Sequence, residues 1–245
     1  MKLRNEYHIH SNLQLNSNNI YRMVVSNVNN DIKPGQFVNI SVPGKMLPRP
    51  ISVADYKDNN LSLIYRVVGE GTEILSRMNN GDEITILSGL GNGFDVDADT
   101  QKPLVVGGGL GAAPLFYLVK SLKEKGLKPT VLLGFRNPEE AFYLSQYKKY
   151  LSESDFRVSY DSEGKFVTNL MEELPDGAYD YFYACGPKPM LESVENVSKS
   201  NGELSLETRM ACGVGICKCC SIETDDGMKT LCKDGPVLKK GTIRW

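Results

Sequence analysis

Five of the six cysteines of this chain fall between Cys212 and Cys232. They read Cys212-Gly-Val-Gly-Ile-Cys217-Lys-Cys219-Cys220, followed by eleven residues and then Cys232. With Cys219 set aside, the spacing is C-x4-C-x2-C with a distant fourth cysteine, the plant-type pattern for a [2Fe–2S] cluster. The chemistry asks for that arrangement. Each of two irons takes two thiolates, so a tight loop must wrap the cluster with its N–H groups aimed at the sulfurs. Gly213 and Gly215 permit the turns, because glycine tolerates positive φ. A structural zinc site is the alternative, but such sites usually pair two C-x2-C units and one is present here. Cys219 is surplus to a four-thiolate set and reads as a bystander thiol. In a reducing compartment this crowding argues for metal ligation rather than a disulfide framework.

A second chemistry-bearing stretch is Val105-Val106-Gly107-Gly108-Gly109-Leu110-Gly111-Ala112-Ala113-Pro114. Gly107-x-Gly109-x-x-Ala112 fits the dinucleotide fingerprint, after an apolar run and before a helical one. Glycines there let the backbone approach a pyrophosphate, which sits on the positive end of the following helix. A tight structural turn is the plain alternative. Further on, Cys185-Gly186-Pro187 closes another apolar run, where a nicotinamide would lie in a parallel-sheet crevice. Taken alone, Cys185 is equally a buried, inert thiol. A third stretch is Arg49-Pro50-Ile51-Ser52: an arginine offers a fork to phosphate, and a serine hydroxyl can reach a flavin ring edge. Ile64-Tyr65-Arg66 and Gly71-Thr72 follow at the distance of a neighbouring strand and its turn. Either arginine taken singly reads more often than not as a surface residue.

The elements that must position these groups change character along the chain. Short β-like runs at Tyr21–Val25, Phe37–Val42, Leu61–Val68 and Glu83–Leu87 are separated by Asn, Gly and Pro clusters, with one short helix near Glu73–Met78. They predict a small antiparallel barrel over residues 1–99. From Pro103 strands alternate with helices: strands near 103–106, 130–133, 156–160 and 181–184, and helices over Ala113–Lys125 and Pro138–Leu151. That alternation predicts a parallel-sheet α/β domain over 100–203. Residues 204–245 are too few for an apolar core of their own, and a bound metal centre would stabilise them. His8 and His10 share one face of a strand without a third ligand. Phe142, Tyr143, Tyr147 and Tyr150 read as packing residues.

Composition excludes some classes. A formal net charge of −2 gives no footprint for nucleic acid or an anionic membrane. No apolar run approaches a bilayer span, and residues 1–12 lack the apolar stretch of a signal peptide, so a cytoplasmic protein is expected.

In combination and order, the Arg49–Ser52, Gly107–Pro114 and Cys185–Pro187 motifs resemble those of the ferredoxin reductase-like family. The cysteine-rich extension is similar to that of one branch, the electron-transfer subunits of NAD-dependent dihydroorotate dehydrogenases. The resemblance runs over essentially the whole chain. It implies an N-terminal barrel binding FAD through Arg49, Pro50, Ile51, Ser52, Ile64, Tyr65, Arg66, Gly71 and Thr72. It implies NAD binding by Gly107, Gly108, Gly109, Gly111, Ala112, Pro114, Cys185, Gly186 and Pro187, and a [2Fe–2S] cluster on Cys212, Cys217, Cys220 and Cys232. It further implies a partner catalytic subunit carrying FMN, in a heterotetramer of two of each, serving pyrimidine biosynthesis. No residue of this chain is assigned a catalytic proton transfer. Arg136 could hold a 2′-phosphate, Glu139 and Glu140 disfavour one, and the resemblance favours NAD. The competing readings are the small subunit of a bifurcating transhydrogenase or sulfide dehydrogenase, an oxygenase reductase, and a zinc-stapled interaction module on a degenerate reductase scaffold.

Overall fold

A computed structural model describes residues 4–245. Residues 1–3, which belong to the expected first domain and to the stretch read for a signal peptide, lie outside the described residues. Six antiparallel strands close into a barrel: β1 (Arg4–Gln14), β2 (Ile20–Ser26), β3 (Phe37–Ile40), β4 (Arg49–Lys57), β5 (Asn60–Arg66) and β6 (Glu83–Leu90), in the order β1-β2-β5-β4-β3-β6. Alternation drives the closure. Tyr7 and Ile9 of β1 point into the barrel core with Met23, Val25, Val38, Ile40, Leu61 and Leu63, while the alternating His8 and His10 face solvent. Helix α1 (Glu70–Ser76) bridges β5 and β6, and its Leu75 is fully buried in the barrel core.

The second sheet has the order β14-β11-β10-β7-β8-β9, its edge strand β14 being Val237–Lys239. Its parallel members are β7 (Pro103–Gly108), β8 (Thr130–Phe135), β9 (Phe156–Tyr160), β10 (Tyr181–Cys185) and β11 (Asn201–Ser205). Every residue of β7 and β10 is buried, as expected for strands covered on both faces. The covering helices are α2 (Ala112–Glu124), α4 (Val167–Glu172) and α5 (Lys188–Val197). The expected helix over Pro138–Leu151 is not formed. Asn137 caps a single 3-10 turn, Pro138–Glu140, by accepting from the Glu140 N–H at 2.9 Å. Tyr143 then adopts a left-handed φ of 63°, which leaves only the four residues of α3 (Leu144–Tyr147). The aromatic rings explain the break: Phe142 packs edge-on to Phe135, and Tyr143 and Tyr147 edge-on to Phe116.

After β11 the chain leaves the sheet, forms the cysteine loop, the hairpin β12 (Ser221–Thr224) and β13 (Gly227–Thr230), and α6 (Leu231–Asp234). It then returns as β14 (Val237–Lys239), antiparallel to β11. The barrel and the parallel sheet are pinned together. Lys120 of α2 meets Asp55 of β4 at 2.6 Å, with both side chains largely buried. The Tyr117 hydroxyl donates to the Ile32 carbonyl at 2.8 Å. Among the described residues no helix is long and apolar enough to cross a membrane.

Candidate functional site

The start of β4 and the end of β5 form one wall of a cavity of about 370 Å³. Arg49, Pro50, Ile51, Ser52, Ile64, Tyr65, Arg66 and Thr72 all line it. Gly71 does not, yet it lies directly behind: a Cβ there would come within 2.2 Å of the Arg49 Nε, so glycine lets the guanidinium lie across the start of α1. The Thr72 hydroxyl accepts from the Val68 and Gly69 N–H groups, at 3.0 and 3.3 Å, and fixes the turn that leads there. The Tyr65 ring is buried in the barrel core and its hydroxyl donates to Asn12 Oδ1 at 3.0 Å. Two arginines thus converge on one cavity, and the buried Nε of Arg66 has no partner in the protein. An unpaired cationic donor beside a second guanidinium is a donor set suited to phosphate.

The opposite wall belongs to the parallel sheet, through Leu110, Ala113, Pro114, Cys185 and the Ser205–Thr208 stretch. A second cavity of about 680 Å³ adjoins it, lined by Gly108, Gly109, Gly111 and Pro187 together with Gly134–Arg136, Asp161 and Met190. Gly109 takes φ +52°. Gly111 packs so tightly on the end of β10 that a Cβ would stand 2.2 Å from the Cys185 carbonyl oxygen. The glycine turn and the Cys185-Gly186-Pro187 corner are therefore one contact. Pro114 and Cys185 face the first cavity rather than the second, and Gly107, Ala112 and Gly186 line neither. Gly107 is closed in by Leu133 and Leu115, and Gly186 by Met190. These residues shape the turn from behind. The Cys185 thiol is buried, and burial, helped by the Glu207 carboxylate, pushes its pKa up to about 12. It stays a neutral thiol at physiological pH, an apolar filler in the wall of the first cavity.

Arg66, Val68, Leu110 and Glu207 line both cavities, so the two spaces adjoin along these side chains. Arg66 Nη2 is held by Glu140 Oε2 at 2.9 Å, and Arg136 approaches the other oxygen of the same carboxylate at 3.7 Å. Sequence reasoning missed Glu207 altogether. It is open to the cavities on one side and crowded by protein on the others, and that burial holds its carboxyl above the usual range. Its only signal in the sequence is position, between the last parallel strand and the first cysteine of the loop.

The cysteine loop begins two residues after Met210, which lines the first cavity. Gly213 and Gly215 take φ +70° and +84°. Their turns aim N–H groups at sulfur: Val214 and Cys217 donate to Cys212 Sγ at 3.4 and 3.5 Å, Gly215 to Cys232 Sγ at 3.0 Å, and Cys232 to Cys220 Sγ at 3.4 Å. The contacts set Cys212 beside Cys217 and Cys220 beside Cys232. Among the described residues no three metal-ligating side chains meet around one point. Two thiol pairs suit two irons with two thiolates each, and the N–H donors suit the charge such a centre carries. For Cys212, burial opposes the thiolate, but the N–H groups of Cys217 and Val214 outweigh it and bring the pKa down to about 6. Burial first, and Cys220 next, push Cys232 up to about 12. Cys219 is exposed and donates to the Arg209 carbonyl at 3.6 Å, outside both pairs.

Residues 207–244 match the family model for the iron–sulfur cluster binding domain of dihydroorotate dehydrogenase B. Over 220 residues the chain is 40% identical to a dihydroorotate dehydrogenase B (NAD(+)) electron transfer subunit from Fusobacterium nucleatum subsp. nucleatum, covering 83% of this chain and 84% of that one. The corresponding subunit of Lysinibacillus sphaericus is 40% identical over 228 residues, covering 87% and 88%. Among solved structures, a chain of an NADH-dependent reduced ferredoxin–NADP oxidoreductase, studied for flavin-based electron bifurcation, superposes with a TM-score of 0.85 at 28% identity, covering 98% of this chain and 90% of that one. Phthalate dioxygenase reductase shares the fold, with a TM-score of 0.69 at 15% identity over 97% of this chain and 95% of that one.

Proposed function

This chain belongs to the family of dihydroorotate dehydrogenase B (NAD(+)) electron transfer subunits, and we propose how its residues divide the work of moving electrons between NAD(H), FAD and a [2Fe–2S] cluster. One observation carries the reading: the two cavities adjoin along Arg66 and Glu207, and the cysteine loop starts two residues from the wall of the first. When bound, FAD exchanges two electrons with a nicotinamide and passes them on singly, and the cluster takes them one at a time.

The protein's part is placement. Arg49 and Arg66 hold phosphate, with Gly71 and Thr72 shaping the turn behind Arg49, while Pro50, Ile51, Ser52, Ile64 and Tyr65 wall the flavin space. Gly108, Gly109 and Gly111 bring backbone to the NAD pyrophosphate at the start of α2, and Gly107, Ala112 and Gly186 set that turn from behind. Pro114, Pro187 and the neutral Cys185 wall the junction where nicotinamide and flavin meet, and keep water out of it. Cys212, Cys217, Cys220 and Cys232 hold the cluster, which assigns the FAD role to residues 1–99, the NAD role to 100–203 and the cluster role to 204–245. Thiolate ligands call for a reducing compartment, hence the cytoplasm.

The partner is a catalytic subunit carrying FMN, two copies of each making the complex, in which dihydroorotate loses two electrons and two protons to become orotate, NAD⁺ takes both electrons and one proton as hydride, and the second proton goes to solvent. The resemblance at 28% identity to the bifurcating oxidoreductase chain supports a second reading, in which the partner is a transhydrogenase large subunit. The partner decides between them. Alone, the chain should reduce artificial acceptors with NADH and leave dihydroorotate untouched. Adding the FMN-containing dihydroorotate dehydrogenase subunit should give NAD-linked dihydroorotate oxidation. Turnover of dihydroorotate by the chain alone, or no coupled activity with the partner, refutes the assignment.

A further inference from the structure

Asn39 lies on β3, 3% exposed, far in sequence from any cysteine. Its cross-strand partner on β4 is Pro50, within the Arg49–Ser52 motif. Two residues earlier on the same face of β3, Phe37 lines the first cavity. The Asn39 side chain turns to the cysteine loop: Nδ2 donates to the Cys212 carbonyl at 3.2 Å. The loop comes so close that a Cβ on Gly213, which also takes φ +70°, would stand 2.1 Å from Nδ2 and displace the amide. Val214, next along, packs on the apolar cluster that contains Phe37 and Leu90. The other end of the amide is unpaired: Asn39 Oδ1 is buried without a hydrogen-bond partner.

An unpaired buried acceptor lowers stability, and an apolar side chain of the same shape would remove that penalty. If Asn39 served packing alone, leucine would do as well or better. We propose that Asn39 is a positioning residue for the cluster. It seats the Cys212–Gly213 end of the loop on the barrel strand beside the flavin motif, and it holds the dipole of a half-unpaired amide against that end of the loop. It thereby fixes both the separation and the electrostatic relation of the flavin cavity and the cluster seat.

The inference rests on the reading of the loop as the cluster seat, and its test keeps the two apart. Parent chain and Asn39→Leu are purified anaerobically and compared in flavin and iron content, in the electron paramagnetic resonance of the reduced cluster, in cluster midpoint potential, and in the rate at which cluster absorbance bleaches on mixing with NADH. With FAD retained, Asn39→Leu should show a shifted resonance, a shifted potential and bleaching about fivefold slower, the population shift expected from one lost amide–carbonyl bond. A resonance, potential and rate equal to the parent's overturn the proposal. Should Asn39→Leu purify without iron, Asn39→Asp decides: a buried negative charge at this position should lower the potential, and a parent-like value there overturns it. A parent chain devoid of iron would instead sink the reading of the cysteine loop.

Discussion

Replacing Lys120 by methionine tests how firmly the two halves of the site are aligned. Lys120 sits on α2, the helix that starts at the glycine turn, and Asp55 sits on β4, three residues beyond Ser52. Their side chains are 6% and 19% exposed and their charged atoms are 2.6 Å apart. Removing one partner leaves a charge buried without its counterion, a loss of about 3–5 kcal/mol. The residual exposure of Asp55 puts the expected value near the lower end, about 3 kcal/mol. At roughly 2–4 °C per kcal/mol for a chain of this size, Lys120→Met should unfold about 6–12 °C below the parent by calorimetry at matched flavin content. The double variant Lys120→Met with Asp55→Leu removes both charges and should recover most of the loss, because a buried pair replaced by apolar groups is often neutral. If the single variant loses less than about 1 kcal/mol, or the two substitutions simply add, the pair is not coupled and the reasoning fails.

Cys220→Ser should abolish or cripple the cluster's visible bands while FAD stays bound, whereas Cys219→Ser should leave them nearly intact; equal loss in both variants would overturn the thiol pairing described above. Arg49→Ala should weaken FAD retention by about 1.5–3 kcal/mol, roughly ten- to a hundredfold in Kd, read by flavin fluorescence on dilution. Burial works against the charge on Asp180, but the Thr100 hydroxyl and the N–H groups of Gln101 and Lys102 outweigh it and hold the carboxyl below its usual range. A depressed carboxyl stabilises the fold above its unfolded pKa of about 3.9, and that contribution disappears as pH falls through the lower folded value. Asp180→Asn should therefore lower Tm at neutral pH and flatten its decline below about pH 4; an unchanged acid limb in a Tm series would count against this linkage.

The chemistry was legible in the sequence wherever spacing along the chain carries it. Cysteine spacing, the glycine fingerprint and the Arg49–Ser52 motif are local patterns, and the barrel and parallel sheet announce themselves by period. What stayed hidden depends on contacts between distant segments. Glu207 matters because β11 delivers it to the seam between two cavities, and Asn39 because a strand 173 residues away faces the loop. The helix expected at Pro138–Leu151 has good local propensity, but the Phe116, Phe135 and Phe142 packing overrides it. The short strand β14 has no pattern of its own and exists because β11 offers it an edge.

That return strand gives the cysteine-rich segment a particular evolutionary grammar. Ser205 and Val237 stand opposite each other across the β11–β14 ladder, and the Leu206 N–H donates to the Pro236 carbonyl at 3.0 Å. Thirty or so residues of redox module thus enter and leave the host at one point, as an insertion does in a hairpin loop that tolerates extra length at little entropic expense. Such a segment can be gained, lost or exchanged without rethreading the sheet. Its near side is less dispensable. Leu206, Glu207, Thr208 and Met210 form part of the wall of the first cavity, so a reductase that shed the module would have to rebuild that wall from another source.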